Sequence, residues 1–163
     1  MKFERYREHF AFLRDNAIVT QEDMTAFTAR TEETLATLTK QRTILNVRKK
    51  RRRPLYSALA DAEALAPARA LYEEGLSGME AEFAQYMEAV AVLEKCGLPK
   101  DRLMEEKAEL YEQLAEINRQ IRTERKKLAL CREIQNRLPQ MEHDIHKIEM
   151  RESEVRNDER RRR

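Results

Sequence analysis

The apolar pattern of residues 103–138 constrains the fold more than any other feature of this sequence. Selected positions recur at alternating spacings of three and four over five heptads, and eight of the eleven are apolar. This spacing is typical of a coiled-coil seam on a long helix, which has to pack against another helix. The eleven positions are Leu103, Lys107, Leu110, Leu114, Ile117, Ile121, Glu124, Leu128, Cys131, Gln135 and Leu138.

The overall composition agrees with the prediction of a long helix that packs through a coiled-coil seam. The 163 residues include only three Gly and four Pro, no Trp, and 38% charged side chains. Such a composition is typical of long helices that bury narrow apolar stripes, and it leaves few residues for the turns of a β fold. We therefore predict an all-α fold, an elongated helical hairpin or coiled coil with additional short helices.

The short turn at residues 97–99 favours an antiparallel hairpin between a helix at 77–96 and the long helix. Because that partner is shorter, the far end of the long helix is left for another helix or another chain.

A first short helix is predicted at residues 3–15. Aromatic and aliphatic side chains recur on one of its faces, which we interpret as a docking face for the next helix. These side chains are Phe3, Tyr6, Phe10 and Leu13. Asn16 and Ala17 follow them and predict a break in the helix.

The second helix has a clear start signal. Thr20 and Asp23 have the spacing of a capping box, in which each side chain accepts a hydrogen bond from the other residue's amide. Val19 and Met24 occupy the positions of a hydrophobic staple around it. The apolar stripe that follows is diluted by threonines, so this helix is expected to need a partner for stability.

Prolines and glycines predict where the later helices end. Pro54 lacks an amide proton, so a break or kink is expected near residues 50–53. Pro67 divides residues 55–74 into two predicted short helices, and Gly75 ends the second. A capping box of Ser77 and Glu80 then opens the helix that ends at Gly97, a residue suited to a left-handed helix cap.

Four consecutive segments describe the predicted organisation. Residues 1–53 form an N-terminal helical segment that ends in a basic run, and residues 54–98 form Ala-rich acidic helices. Residues 99–156 form the long coiled-coil helix with a break near position 139, and residues 157–163 form a charged tail. After Pro139 the apolar positions shift to a new frame, which consists of Met141, Ile145, Ile148 and Val155.

An uninterrupted run of six cations is the sharpest local feature. Although the net charge is only +2, residues 42–53 carry seven basic and no acidic side chains. Two interpretations stand: non-specific binding to the phosphate backbone of DNA or RNA, or a solvated helix end. No aromatic residue interleaves the run, so base stacking is not predicted. The candidate nucleic-acid-binding residues are Arg48, Lys49, Lys50, Arg51, Arg52 and Arg53.

No other residue pattern indicates chemistry. His143 and His146 are three residues apart, but neither HExxH nor a repeated Glu-x-x-His accompanies them, so we predict a solvated polar face and no metal. Cys96 and Cys131 lack CxxC spacing and are expected to be buried as small apolar groups. With three glycines, a phosphate-binding loop is hard to build. We predict no catalytic residues, no cofactor, no small-molecule substrate and no enzymatic activity.

The expected location is the cytoplasm. No apolar run approaches the roughly 18 residues that span a bilayer, and we predict no membrane partner. Three of the first five residues are charged, and the N-terminal stretch does not have the form of a signal peptide.

Several stretches resemble the helical region that follows the nuclease domain in relaxase and mobilisation proteins of integrative and conjugative elements from gut Firmicutes. They are residues 6–8, 18–23, 51–56, 105–111 and 125–134. Such relaxases nick one DNA strand with a tyrosine nucleophile and a histidine-ligated metal in an N-terminal domain. This sequence has no cluster of three histidines, so none of those catalytic residues can be assigned here.

Two functional hypotheses follow. The resemblance implies a non-catalytic coiled-coil accessory segment of a DNA mobilisation protein of the relaxase type, encoded by a mobile genetic element and acting in conjugation. It would contact DNA backbone, partners in the transfer machinery, or both. The alternative is a purely structural coiled coil that self-associates or docks another protein, without DNA binding.

Overall fold

Four helices account for most of the residues that the structure describes. The computed structural model describes the backbone of residues 2–162, and the side chains in that range except those of residues 2, 141, 144 and 145. The expectations for the side chains of Met141 and Ile145 and for Arg163 therefore lie outside the described residues. The helices are α1 (Lys2–Asp15), α2 (Gln21–Glu73), α3 (Glu80–Cys96) and α4 (Lys100–Arg161). No strand occurs in the described range, which confirms the all-α prediction.

The turn after α1 confirms the predicted break. Ala17 has a positive φ of 54°, in the left-handed region. Its amide donates to the carbonyl of Arg14 at 3.1 Å, and the amide of Ile18 donates to the carbonyl of Leu13 at 2.9 Å. These two bonds form a Schellman motif, which satisfies carbonyls that the end of a helix leaves without partners.

An Ala17→Gly substitution is expected to stabilise the protein. Glycine adopts the left-handed conformation without the steric cost that a Cβ atom incurs, although it has more freedom to lose on folding. We expect the free energy of unfolding to rise by about 0.5–1 kcal/mol, measured by urea denaturation. The control is Ala26→Gly in the exposed helical interior of α2, which should lower stability by about 1 kcal/mol. Equal losses from both variants would contradict the assigned backbone strain.

The capping box at the start of α2 is confirmed, but the predicted staple is wrong. The Asp23 amide donates to Thr20 Oγ1 at 3.1 Å, and the Thr20 amide donates to Asp23 Oδ2 at 2.9 Å. Hydrogen bonds from the amides of Val19 and Thr20 lower the pKa of Asp23. The Val19 side chain is 89% exposed, and Ile18 is buried beside Met24 in its place.

Neither proline of α2 ends the helix. Of the break or kink predicted near residues 50–53, the break is therefore wrong, as are the two short helices at 55–74, because α2 continues to Glu73. A proline removes one helical hydrogen bond, but the turns that follow Pro54 are held by the burial of Tyr56 and Leu59. The predicted break near 139 is wrong in the same way, since α4 runs through that proline to Arg161.

The start of α3 also differs from the prediction. Met79 is the N-cap residue and makes no side-chain capping bond, so Ser77 does not open a capping box. Instead, the Glu80 carboxylate accepts a hydrogen bond from the Gly78 amide at 3.0 Å. The predicted end is confirmed, because Gly97 has a φ of 69° and donates to the Glu94 carbonyl.

The contacts divide the chain into two compact units that differ from the four predicted segments. Unit 1 comprises Met1–Ala36 and Ile121–Arg163, and unit 2 comprises Thr37–Gln120. The units cut across the sequence segments because both α2 and α4 contribute to each unit.

Unit 1 has a small core formed by α1, α2, α4 and the turn between α1 and α2. Phe12 of α1 and Phe27 of α2 make an edge-to-face contact with ring centroids 5.6 Å apart. The face of α1 that packs inward carries His9, Phe12 and Leu13, whereas Phe3 and Phe10 are 74% and 68% exposed. The predicted docking face is therefore wrong for those two aromatic residues. The buried members of the core are Ile18, Met24, Cys131 and Ile134.

In unit 2, α4 lies antiparallel to α2. Glu63 pairs with Lys100 at 2.8 Å, and Lys49 lies 4.5 Å from the ring centroid of Tyr111, so numbers fall along α2 as they rise along α4. The core residues between them include Tyr56 and Leu110. Within unit 2, the helical hairpin is therefore formed by α2 and α4.

Helix α3 also runs antiparallel to α2, next to its last turns. The rings of Tyr72 and Phe83 stack with centroids 4.2 Å apart, and Arg69 donates to the Tyr86 hydroxyl at 2.9 Å. The end of α3 packs Leu93 into the cluster around Tyr56. The predicted antiparallel hairpin between α3 and the long helix is wrong. Both α3 and α4 run antiparallel to α2, so they run in the same direction as each other.

Most of the predicted seam on α4 is buried. Ile117 and Leu138 are only partly buried, while Ile134, which lies outside the predicted spacing, is 4% exposed. The other predicted apolar seam residues are buried: Leu103, Leu110, Leu114, Ile121, Leu128 and Cys131. No helix in the described part of the chain is long and apolar enough to cross a membrane.

Candidate nucleic-acid interface

The six cations of the basic run do not form one patch. Successive residues of a helix turn by about 100°, so six in a row point all around its axis. Lys49, Lys50 and Arg53 line one side of the contact between α2 and α4 in unit 2. Arg48 and Arg51 lie on another side of α2, where they line a second hollow.

A basic groove forms where Lys49, Lys50 and Arg53 meet α4. It has a volume of about 540 Å³, and α4 contributes Lys107 to it. Four cations thus share a groove that has no carboxylate among its lining residues. The complete lining is Asn46, Lys49, Lys50, Arg53, Tyr56, Ser57, Lys107 and Tyr111.

Two aromatic rings hold the lysines of the basic groove. The Lys49 ammonium lies 4.5 Å from the ring centroid of Tyr111, and that of Lys107 lies 5.9 Å from the ring centroid of Tyr56. The ring quadrupole attracts each cation, which keeps both ammonium groups close to the groove. The sequence lacks aromatic residues inside the basic run, but the fold brings these two rings beside it.

Arg52 is turned inward and is committed to a network with Glu106 and Tyr56. Its Nε lies 2.9 Å from Glu106 Oε1, and its Nη2 donates to Oε2 at 3.1 Å. The Tyr56 hydroxyl donates to Glu106 Oε1 at 3.0 Å. Burial, together with this hydrogen bond and the charge of the carboxylate, raises the pKa of Tyr56 to about 12. Arg52 therefore joins α2 to α4 and is a poor candidate for phosphate contact.

Sequence reasoning missed the contribution of α4 to the basic groove. Lys107 and Tyr111 lie more than 50 residues beyond the basic run, so only the fold shows that they are its neighbours. One signal was present, because Lys107 is a cation at a position of the predicted seam. Its half-buried stem follows the apolar contact while its ammonium reaches the groove.

The other candidate residues form no second site. His143 and His146 are exposed, and within the described residues no three His, Cys, Asp or Glu side chains come together as metal ligands. Cys131 is 0% exposed, and burial raises the pKa of its thiol. His9, which the sequence did not single out, is buried with its Nε2 3.5 Å from Glu133 Oε1.

No family model, curated protein or solved structure matches this chain. The resemblance to relaxase proteins accordingly stays a prediction. The function has to be inferred from the geometry and charge of the basic groove.

Proposed function

We propose that this chain is a non-catalytic helical module that binds nucleic-acid backbone through the basic groove. The observation behind this proposal is that Lys49, Lys50, Arg53 and Lys107, from two helices, line one groove without a carboxylate among them. Four cations held this close repel one another unless anions screen them. A row of phosphates supplies such anions at regular spacing, and releasing the counterions of the nucleic acid favours binding.

The proposed context is DNA mobilisation in the cytoplasm. The stretches that resemble relaxase proteins include residues 51–56 and 105–111, and each of these contributes side chains to the basic groove. In this role the module would contact DNA backbone near a transfer origin, dock other transfer proteins, or do both. Backbone contact of this kind carries no base preference.

Neutralising the groove is expected to weaken DNA binding. A Lys50→Gln/Arg53→Gln variant should bind a duplex of about 20 base pairs about tenfold less tightly at low salt. The slope of log affinity against log salt should flatten by about 0.9 for each phosphate contact that is lost. Fluorescence anisotropy over a series of salt concentrations measures both quantities.

The matched control is Lys40→Gln/Lys95→Gln. It removes the same charge from two exposed positions of unit 2 that do not line the groove. This variant should keep most of the affinity of the unmodified chain. The proposal fails if the unmodified chain binds neither duplex nor single-stranded DNA at low salt, or if the control and groove variants lose affinity equally.

A purely structural role in protein–protein interaction is the second candidate. It is favoured by the strongly exposed aromatic rings of Phe3 and Phe10 on α1, since exposed apolar groups of this size often mark contact surfaces. Sedimentation with and without DNA separates the two roles. An assembly that is insensitive to salt and ignores DNA supports the structural role.

A further inference from the structure

We propose that a second surface of unit 2 joins this chain to a second copy of itself. This surface, the mixed face, carries Ile44, Val47, Arg48 and Arg51 of α2 beside Glu109, Glu112 and Glu116 of α4. The inference does not depend on DNA binding, because Lys50, Arg53 and Lys107 line a different groove.

The apolar part of the mixed face is exposed. Ile44 is 68% exposed and Val47 is 46% exposed, although both lie in the middle of a long helix. Ile44 belongs to two adjoining hollows. One of about 670 Å³ continues onto α4, and one of about 450 Å³ continues along α2. The face therefore offers apolar surface together with space for side chains of a partner.

The two helices contribute opposite charges to the mixed face. Arg48 and Arg51 form a cationic row on α2, while Glu109 and Glu112 form an acidic row on α4. All four side chains are exposed, and none takes part in the ion pairs formed within the described residues. Glu116 extends the acidic row but already pairs with Arg119 at 2.7 Å.

This separation makes the mixed face complementary to itself. A two-fold axis that lies in the plane of the contact, between α2 and α4 and parallel to them, places the α2 of each copy over the α4 of the other, so each cationic row meets an acidic row. The same rotation brings Ile44 of both copies towards the axis, because Ile44 lines the hollow between α2 and α4, and apolar side chains at the centre of a contact are usual for protein interfaces. A second copy fits because one chain supplies both halves of the pattern on one face.

Sedimentation velocity of the full chain with reductant tests the proposal. The unmodified chain should show a dimer whose population rises with concentration. Arg48→Glu/Arg51→Glu and, separately, Glu109→Lys/Glu112→Lys should each weaken the dimer at least tenfold, because like charges then face each other. A Lys50→Glu/Arg53→Glu control makes an equal charge change in the basic groove and should leave the dimer intact.

The decisive experiment mixes the two charge-swapped chains in equal amounts. One chain is then acidic in both rows and the other cationic in both, so a mixed dimer regains both complementary contacts and should form. Circular dichroism checks that each variant is folded, and Ile44→Asp, at an exposed position, gives an independent loss of dimer if a swapped chain does not fold. A monomer at every concentration, a dimer insensitive to the swaps and to Ile44→Asp, or folded swapped chains that do not associate on mixing overturns the proposal.

Discussion

Replacing Leu110 with Ala should lower the free energy of unfolding by about 3 kcal/mol, within the 2–5 kcal/mol typical of buried Leu→Ala changes. Leu110 is 1% exposed and packs in one cluster with Tyr56, Leu59 and Leu103, where α2 meets α4. The substitution removes apolar contacts and leaves a cavity that these neighbours can fill only in part. Helix propensity alone predicts a slight gain in stability, because Ala is the better helix former, so a loss reports the buried packing.

Urea denaturation followed by circular dichroism measures this loss. The control is Met104→Ala, which truncates a side chain that is 45% exposed on the same helix. It should change stability by no more than about 0.5 kcal/mol, as surface substitutions usually do. If both variants were equally stable, the proposed packing of α4 on α2 would be wrong.

Raising the pH from 10 to 12 should remove stability on the order of 2 kcal/mol through Tyr56. The pKa of this residue is about 12 in the folded chain against 10 for an ordinary tyrosine, and one pKa unit corresponds to about 1.4 kcal/mol. Between these values the unfolded chain has lost the proton while the folded chain still holds it. The folded state binds more protons, so its stability is complete below pH 10 and falls as the pH rises through 12.

A Tyr56→Phe variant isolates this contribution. It should be less stable than the unmodified chain at pH 8 by about 1 kcal/mol, because the hydrogen bond to Glu106 is absent. Between pH 10 and 12 it should lose about 2 kcal/mol less than the unmodified chain does. The Tyr111→Phe control, whose ring is 44% exposed, should keep the full alkaline loss. A Tyr56→Phe variant that matches the unmodified chain over this range would contradict the assigned network.

The sequence predicted the start of α2 and the end of α3 because short-range chemistry determines both features. Thr20 and Asp23 can bond each other's amides once the helix begins, whatever the rest of the chain does. Gly97 ends α3 for a similarly local reason, since it tolerates a positive φ. The seam on α4 was also predictable, because its heptad spacing sets which face is apolar before any partner is known.

The partner of α4 could not be predicted in the same way. The stripe on α2 is diluted by threonines, which made it a weak candidate for a long packed helix. Thr31 shows how the structure accommodates them: it is 4% exposed, and its hydroxyl donates to the Phe27 carbonyl at 2.8 Å. A threonine bonded in this way can be buried without an unsatisfied polar group. The two prolines of α2 predict the end of a helix, but tertiary packing keeps the helix continuous through both of them.

The candidate site shows a similar division. The basic run was evident in the sequence, and helix geometry spreads it around the axis, but which of its residues line a groove depends on where α4 lies. Arg52 forms an ion pair with Glu106 of α4, whereas Lys107 of α4 lines the basic groove beside the lysines of α2. Both facts follow from the antiparallel pairing of α2 with α4, which no local signal in the sequence encodes.

Salt-dependent DNA binding by a Lys107→Gln variant tests whether two helices build one binding groove. If they do, Lys107→Gln should flatten the salt slope as much as Lys50→Gln, by about 0.9 per phosphate contact, although Lys107 lies 57 residues beyond Lys50. Lys95→Gln should leave the slope unchanged. A Lys107→Gln variant that binds with the slope of the unmodified chain, while Lys50→Gln flattens it, would mean that the basic run of α2 acts alone.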